Sequence, residues 1–155
     1  MEGTRSLTAA LDRLGIGYEL LEHARTDRAA DEAAALGLDP DEIAKTIVVT
    51  TGAENLRVLL PASERLDMHK LRDLLEAGKE LHLLTEEALG SEYPEFELGA
   101  VPPVGGRDDG VVVDRRIAAL ERVVFEAGVH DRSARVRTAD LVIRAAARVA
   151  DVCAD

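Results

Sequence analysis

Apolar residues recur along the chain at two different spacings, which predict short helices mixed with short strands. Leu7, Leu11 and Leu14 have the spacing of one helix face, whereas the β-branched run at 46–51 is typical of a buried strand. The predicted helices span residues 6–14, 28–36, a short segment after Asp39, a segment between Asp67 and Gly78, 85–90 and 139–149. The predicted strands span residues 18–21, 46–51, 56–60, 81–84, 111–114, 123–126 and 133–136.

The order of these elements predicts a mixed α+β fold with a curved sheet and flanking helices. Several neighbouring strands are joined by turns short enough for hairpins, so the chain lacks the regular alternation of a doubly wound parallel sheet. It shows no internal repeat, linker or low-complexity segment. Residues 1–155 are therefore expected to form a single domain, long enough to enclose a hydrophobic core.

The composition favours a globular protein of the cytoplasm. Apolar residues make up 46% and charged residues 32% of the chain. No apolar run reaches the length of a membrane span, and the first residues lack a signal-peptide pattern. The single cysteine, Cys153, cannot form an intramolecular disulfide. We therefore expect a cytoplasmic protein with no membrane partner.

The net charge restricts how the protein could bind nucleic acid. Thirty acidic residues against nineteen basic ones give a formal charge of −11, which repels a phosphate backbone on average. The chain has no tryptophan, two tyrosines and two phenylalanines, too few for a stacking platform. Any contact with nucleic acid must be local, and the expected basic contacts are Lys45, Lys70, Arg72, Arg107, Arg132 and Arg135.

One loop, residues 99–106, contains no side chain that could act as an acid, base, nucleophile or metal ligand. Its glycines permit a close approach of backbone to a ligand, and Pro102-Pro103 stiffens the chain between them. A stiff loop of this kind can point several N–H groups at a carbonyl oxygen or an oxyanion. By itself the loop is more typical of a surface turn than of a ligand site.

Lys45 is the leading candidate among the charged residues. It lies where a short helix meets the apolar strand at 46–51, so its ammonium group could be a fixed charge for a phosphate or carboxylate. The chain has three lysines and sixteen arginines, and this lysine is flanked by apolar residues. A solvated lysine at a strand edge is the alternative interpretation.

The remaining chemistry-bearing residues favour no familiar catalytic set. The four histidines lack metal-ligand spacing, so we expect neither a metal nor another cofactor. His23 and His130 lie next to loops and could contact a ligand, whereas His69 and His82 are more typical of structural positions. The chain lacks the Gly-x-Ser-x-Gly motif of serine hydrolases and the P-loop motif.

The ordered motifs resemble the YbaK/prolyl-tRNA-synthetase-associated family of aminoacyl-tRNA editing domains. They are Glu22-His23-Ala24, the segment from Leu38 to Val49, Leu66 to Leu71, Gly99 to Gly105, Val111 to Asp114 and Ala127 to His130. The resemblance extends over about residues 17–150. It implies an α+β fold on a curved, barrel-like sheet, and hydrolysis of the ester between a mischarged amino acid and the 3′ end of tRNA.

The resemblance also implies roles for individual residues. The lysine would hold the terminal adenosine and phosphate, and the Gly-x-x-x-Pro loop would face the scissile carbonyl. The implied catalytic residues are Lys45, Gly99, Ala100 and Val101, and the implied substrate-binding residues are His23, Thr46, Pro103, Gly105, His130 and Ser133. Alanine-specific freestanding members carry asparagine after the lysine, where this chain has Thr46, so the resemblance does not fix the amino acid removed.

The resemblance thus implies a deacylase that acts in trans on the acceptor end of mischarged tRNA, with an aminoacyl-tRNA synthetase as a candidate partner. An aminoacyl ester is already activated, so backbone N–H groups and a positioned water can suffice without a nucleophilic side chain. The alternatives are a non-catalytic module of the same fold, binding an amino acid, a nucleotide or a protein, and an esterase for small acyl substrates.

Overall fold

A computed structural model describes residues 2–155 and has an α+β fold, as predicted from the sequence. The helices are α1 Glu2–Leu14, α2 Ala29–Leu36, α3 Met68–Leu75, α4 Glu86–Glu92, α5 Arg115–Ala118 and α6 Thr138–Arg144, with a single 3-10 turn at Pro40–Glu42. The strands are β1 Tyr18–Glu22, β2 Ala44–Thr50, β3 Asn55–Pro61, β4 His82–Leu83, β5 Gly110–Asp114, β6 Arg122–Glu126, β7 Arg132–Arg137 and β8 Arg148–Ala150.

The strands form two sheets. The larger has the order β4-β2-β3-β5-β8, in which β2 and β3 form the predicted hairpin and β5 runs parallel to β3. The smaller has the order β1-β7-β6 and is entirely antiparallel. An isolated bridge between Ile43 and Val124 joins the start of β2 to β6, so the two sheets meet at that corner but do not close into a barrel within residues 2–155.

The hydrophobic core lies on both sides of the larger sheet. On one side, α1 inserts Leu7 and Leu11 against β5 and the smaller sheet, and both leucines are fully buried. On the other side, α3 places Leu71 against the hairpin of β2 and β3. This packing confirms the helical spacing of the leucines in α1 and leaves the start of β2 at the corner between the sheets.

The C-terminal segment differs from the prediction. The expected helix over 139–149 is wrong, because α6 ends at Arg144 and the chain turns through Ala146, which has a positive φ of 51°. The next residues form β8, where Val149 pairs with Val113 at the edge of the larger sheet. Edge pairing therefore overrides the helix propensity of the alanine-rich run. Helix α5 is a second element that the sequence pattern did not predict.

None of the helices that the structure describes is both long and apolar enough to cross a membrane.

Candidate functional site

Two adjoining pockets lie where the start of β2 faces the glycine–proline loop. Thr46, Gly99 and Val101 line both pockets, which have volumes of about 290 Å³ and about 30 Å³. The smaller one also contains Lys45 and Glu126 in its wall. We call the two pockets together the Lys45 cleft. The structure thus brings together four of the residues predicted for the site, Lys45, Thr46, Gly99 and Val101.

Lys45 contributes a positive charge to this cleft. Its position on β2 opposite Leu60 leaves the side chain half-buried, with Nζ 3.5 Å from the carbonyl oxygen of Ala62. No carboxylate among residues 2–155 lies within 4.0 Å of Nζ. Burial lowers the pKa of Lys45, and the guanidinium of Arg65 acts in the same direction, whereas Cys153 and Glu64 oppose this shift. Burial is the dominant cause, so an anion bound beside Nζ would stabilise the charged form of the lysine.

The backbone of the glycine–proline loop is fixed in an unusual conformation. Gly99 has φ +85°, which residues with a Cβ rarely adopt. The N–H of Ala100 donates to the carbonyl of Glu97 at 2.9 Å, so this predicted donor is engaged in a turn. The N–H groups of Gly99 and Val101 donate to no other group in residues 2–155. These two amides are the ones that could receive a carbonyl oxygen.

A buried arginine on β3 holds the far end of the loop. Arg57 is fully buried and donates to the carbonyls of Pro102 at 2.9 Å and Gly105 at 2.6 Å. Its Nε also bonds Asp109 at 3.0 Å. The guanidinium thus donates four hydrogen bonds, one of them to the carbonyl of Arg107, which engages most of its N–H donors. Arg57 was not predicted as a functional residue, although an arginine inside an apolar strand was a visible signal.

Pro103 and Gly105 face away from the Lys45 cleft. They line a separate groove of about 630 Å³ between the loop, α1 and α6. The carbonyl of Gly105 is taken by Arg57, and a Cβ at this glycine would lie 3.0 Å from the backbone oxygen of Ser6. The two residues therefore shape the loop and pack it on α1, and the structure does not bring them to Lys45.

His130 is buried and fastens the near end of the loop. Its Nε2–H donates to the carbonyl of Leu98 at 2.7 Å, and its backbone N–H donates to Glu97 at 2.7 Å. Its Nδ1 lies 2.8 Å from Oε2 of Glu126, so one proton is shared between imidazole and carboxyl. The histidine ring stands 3.5 Å from the position a Cβ would take at Gly99. His130 thus fixes the conformation of Gly99.

His23 and Ser133 belong to a hydrogen-bonded chain that lies outside the lining of the cleft. Ser133 donates to the carboxylate of Glu32, and its Oγ is 2.9 Å from Nε2 of His23. A hydrolase triad places the histidine between serine and acid, whereas here the serine lies in the middle and is fully buried. The chain ties α2 to β7, and its order does not support a serine nucleophile.

Two buried acids stand close to the cleft. Burial raises the pKa of Glu126 to about 8, and the negative charge of Glu97 adds to this effect. Burial also raises the pKa of Glu32 to about 8, with a further contribution from Glu126. Sequence reasoning missed both, although Glu126 ends a strand that is otherwise apolar. Within residues 2–155, no three metal-binding side chains are grouped closely enough to hold a metal ion.

Most of the basic side chains predicted to contact tRNA are engaged with other protein groups. Lys70 bonds Asp155 at 2.9 Å and Asp151 at 3.3 Å, and Arg135 bonds Glu19 at 3.1 Å. Arg107 pairs with Glu92 and Asp109, Arg132 with Glu22, and Arg72 with the carbonyl of Leu81. Lys45 differs from them because its charge is unpaired and faces a pocket.

Comparison with known sequences places this site in context. A model of the aminoacyl-tRNA editing domain family matches residues 23–143, which include Lys45, the glycine–proline loop and His130. The chain is also 34% identical over 120 residues to the proline–tRNA ligase of Shouchella clausii (strain KSM-K16). That match covers 73% of this chain and 21% of the ligase, so the chain spans about a fifth of the length of that relative.

Two solved structures have the same fold. One is described as a proposed trans-editing enzyme for prolyl tRNA synthetase, with a TM-score of 0.87, 24% identity and coverage of 100% of this chain and 99% of that one. The other is the hypothetical protein APE2540, with a TM-score of 0.84, 26% identity and coverage of 93% and 96%. The shared architecture extends over almost the entire chain in both cases.

Proposed function

The chain belongs to the aminoacyl-tRNA editing domain family, as its ordered motifs predicted, and on this premise we propose that it hydrolyses the ester of a mischarged small amino acid on tRNA. We further propose that it acts in trans on the acceptor end. The solved structure described as a trans-editing enzyme has the same fold along its whole length, which supports this mode of action.

The observation that carries the proposal is the meeting of Lys45 with the free amides of Gly99 and Val101 in one cleft. Lys45, with Arg65 nearby, provides positive charge for the terminal phosphate and adenosine. The two amides are donors for the ester carbonyl. An activated ester needs few further groups, because positioning and charge stabilisation supply much of the rate enhancement.

In the proposed reaction, a water molecule attacks the ester carbonyl held at the loop. Negative charge develops on the carbonyl oxygen, where a backbone N–H donor contributes about 3 kcal/mol to transition-state stabilisation. The carbon–oxygen bond to the ribose then breaks. One proton of the attacking water passes to the 3′ oxygen, the other is released to solvent, and the amino acid leaves as a carboxylate. A ribose hydroxyl of the substrate or a backbone carbonyl can orient the water.

The larger pocket of the cleft suits an apolar side chain. Its volume is about 290 Å³, and its walls include Val48, Leu84 and Leu89. A polar side chain would lose its hydrogen bonds to water there, whereas a missing methylene changes binding by only about 1–3 kcal/mol. The walls therefore favour an apolar amino acid, and a panel of mischarged tRNAs measures the size that the cleft accepts.

A panel of mischarged tRNAs, each carrying a different amino acid, tests the proposal. We expect one or more esters of small amino acids to be cleaved faster than in buffer. Lys45→Ala should lose activity by about 100-fold or more and keep the fold, because the residue acts by positioning. Lys79→Ala, at an exposed lysine, is the matched control. A panel in which no ester is cleaved would refute the enzymatic function.

The alternative of a non-catalytic binding module is favoured by the net charge of −11 and by the paired arginines. Salt dependence distinguishes the two. If Lys45 and Arg65 meet two phosphates of a single-stranded end, the slope of log affinity against log salt should be about −1.4. Lys45→Ala should reduce that slope by about half, whereas Arg135→Ala should leave it unchanged. Absence of tRNA binding at every salt concentration would favour the module.

An esterase for small acyl substrates is the third interpretation. The hydrogen-bonded chain of His23, Ser133 and Glu32 does not support it, because the serine is buried and lies between the histidine and the acid. Free aminoacyl esters without tRNA test it directly, since an esterase would cleave them as fast as the tRNA esters.

A further inference from the structure

Glu126 is the one acidic side chain that lines the Lys45 cleft among residues 2–155. It is the last residue of β6, where the smaller sheet meets the start of β2. Glu126 lines the smaller pocket together with Lys45 and Gly99. The larger pocket contains no charged residue in its wall. The cleft therefore has one cationic and one acidic side chain, both in its narrowest part.

One oxygen of this carboxyl group is engaged and the other is free. Oε2 lies 2.8 Å from Nδ1 of His130, which fixes the orientation of the group. Oε1 has no hydrogen-bond partner in residues 2–155, yet it is not among the enclosed polar atoms without a partner, so it is open to solvent. No lysine or arginine of the described chain lies within 4.0 Å of the carboxyl. A buried acid with an open oxygen and no cationic partner is suited to a cationic group of a ligand.

We propose that Glu126 binds the α-ammonium group of the aminoacyl ester, so that the cleft recognises a free amino acid by its unblocked amine. This inference rests on the proposed function. An aminoacyl-tRNA end has a phosphate on one side of the ester and an α-ammonium on the other. Lys45 and Glu126 match these two opposite charges across the Gly99 loop, which faces the carbonyl between them.

The electrostatics of Glu126 agree with this assignment. Burial raises the pKa of Glu126 to about 8, the charges of Glu97 and Asp27 act in the same direction, and the opposing charge of Arg25 does not offset them. An α-amino group has a pKa of about 7.7–8.0 and is largely charged at neutral pH. Its arrival would favour the ionised carboxylate and form a charge-assisted hydrogen bond. A peptidyl-tRNA, whose α-nitrogen is an uncharged amide, would lose this contact and be spared from hydrolysis.

The direct test compares one mischarged tRNA with the same tRNA N-acetylated at the α-amine. The wild-type protein should cleave the free-amine ester about 10–100-fold faster, the range expected for a charge-assisted hydrogen bond. Glu126→Gln should slow the free-amine ester about 10-fold more than it slows the acetylated ester, which removes the preference. Glu121→Gln removes the same charge at an exposed glutamate just before β6. This control variant should keep the preference for the free-amine ester.

Two results would overturn the inference. The first is equal cleavage of both esters by the wild-type protein, which needs no variant to fold. The second is an equal loss on both esters in Glu126→Gln, which would indicate that Glu126 acts only through His130 and the loop.

Binding of 3′-alanylamino-3′-deoxyadenosine, a non-hydrolysable amide, separates this inference from the proposed function. Calorimetry should show tighter binding of this analogue than of its N-acetylated form, with the difference lost in Glu126→Gln. If that difference is seen but no mischarged tRNA is cleaved, the hydrolytic function fails and the amine site stands. If the two analogues bind equally, or neither binds, the amine site is refuted whatever the hydrolysis assay gives.

Discussion

At the scale of single residues, the proposed reaction would depend on main-chain groups more than on side chains. Gly99 presents its amide at a φ of +85°, and His130 packs against the open side of its Cα. The conformation is held from both ends, by His130 at Leu98 and by Arg57 at Pro102. The amides are thereby oriented before a substrate arrives, which is the condition for effective stabilisation of an oxyanion.

Gly99→Ala tests this arrangement. A Cβ at this φ costs about 1–2 kcal/mol and turns the amide toward an ordinary conformation, so deacylation should fall by about 10-fold or more. Gly52→Ala is the matched control, because Gly52 has φ +93° in the β2–β3 turn with nothing within 4 Å of an added Cβ. Both variants should lose similar stability in urea titrations, and only Gly99→Ala should lose activity. Equal activity in the two variants would contradict a role for the Gly99 amide.

The sequence singled out residues whose context was unusual and missed residues whose role depends on partners that only the fold brings together. Lys45 was predicted from its apolar neighbours and the scarcity of lysine, and Gly99 from its position before paired prolines. Arg57 and Glu126 were missed because their importance arises from partners 45 and 4 residues away that only the fold identifies. No local pattern could show that Arg57 would meet the carbonyl of Pro102.

At the scale of elements, the loop is attached to the β2–β3 hairpin through Arg57. The guanidinium lies over the ring of Tyr93, 5.0 Å from its centroid, and Tyr93 bonds the same Asp109 as Arg57 does. The loop that supplies the amides and the hairpin that supplies Lys45 therefore form one rigid unit. This explains how a segment with no regular secondary structure can hold a fixed geometry.

Arg57→Lys should destabilise the protein by about 3 kcal/mol. A lysine ammonium cannot reproduce the forked donors, so loop carbonyls and the buried Asp109 would lose partners. The free energy of unfolding from denaturant titration measures the effect. Arg148→Lys, at an exposed position on β8, should change it by less than about 0.5 kcal/mol. Similar values for the two substitutions would mean that Arg57 does not anchor the loop.

The elements also show where local patterns are a weak guide. The hairpin of β2 and β3 was predicted because β-branched spacing and a glycine turn agree with each other and with the tertiary fold. The last helix was predicted too long because alanine favours helix wherever no tertiary contact opposes it. Pairing of Val149 with Val113 supplies that contact, and it joins residues 36 positions apart, so the pattern around Val149 alone could not indicate it.

At the scale of the whole molecule, the fold buries two acidic side chains that solubility does not require to be inside. Glu32 and Glu126 lie in the corner between the two sheets, and neither has a lysine or arginine partner in the described chain. The carboxyl oxygen Oε1 of Glu32 is enclosed and makes no hydrogen bond. In a protein of net charge −11, both acids could lie on the surface without an energetic penalty. Their retention inside identifies this corner as the place where stability is given up beside the proposed site.

This burial makes stability depend on pH with a definite sign. The pKa of each acid is about 8 in the folded protein, against 4.5 for an unperturbed glutamate. Between these values the folded state binds more protons than the unfolded state, so the free energy of unfolding should decrease as pH rises from about 5 to 8. The Coulombic effects of Glu126 and His130 on Glu32 oppose each other, and burial remains the dominant cause.

Glu32→Gln should remove one of the two contributions. At pH 8 the variant should be more stable than the wild type by at least about 1 kcal/mol, the equivalent of one pKa unit, whereas near pH 5 the two should differ little. Denaturant titrations at both pH values measure the difference, and Glu121→Gln, at an exposed glutamate, should show none. If Glu32→Gln instead destabilised the protein equally at both pH values, its carboxylate would be stabilised by Ser133 and His23, and the low stability of this corner would have to come from Glu126 alone.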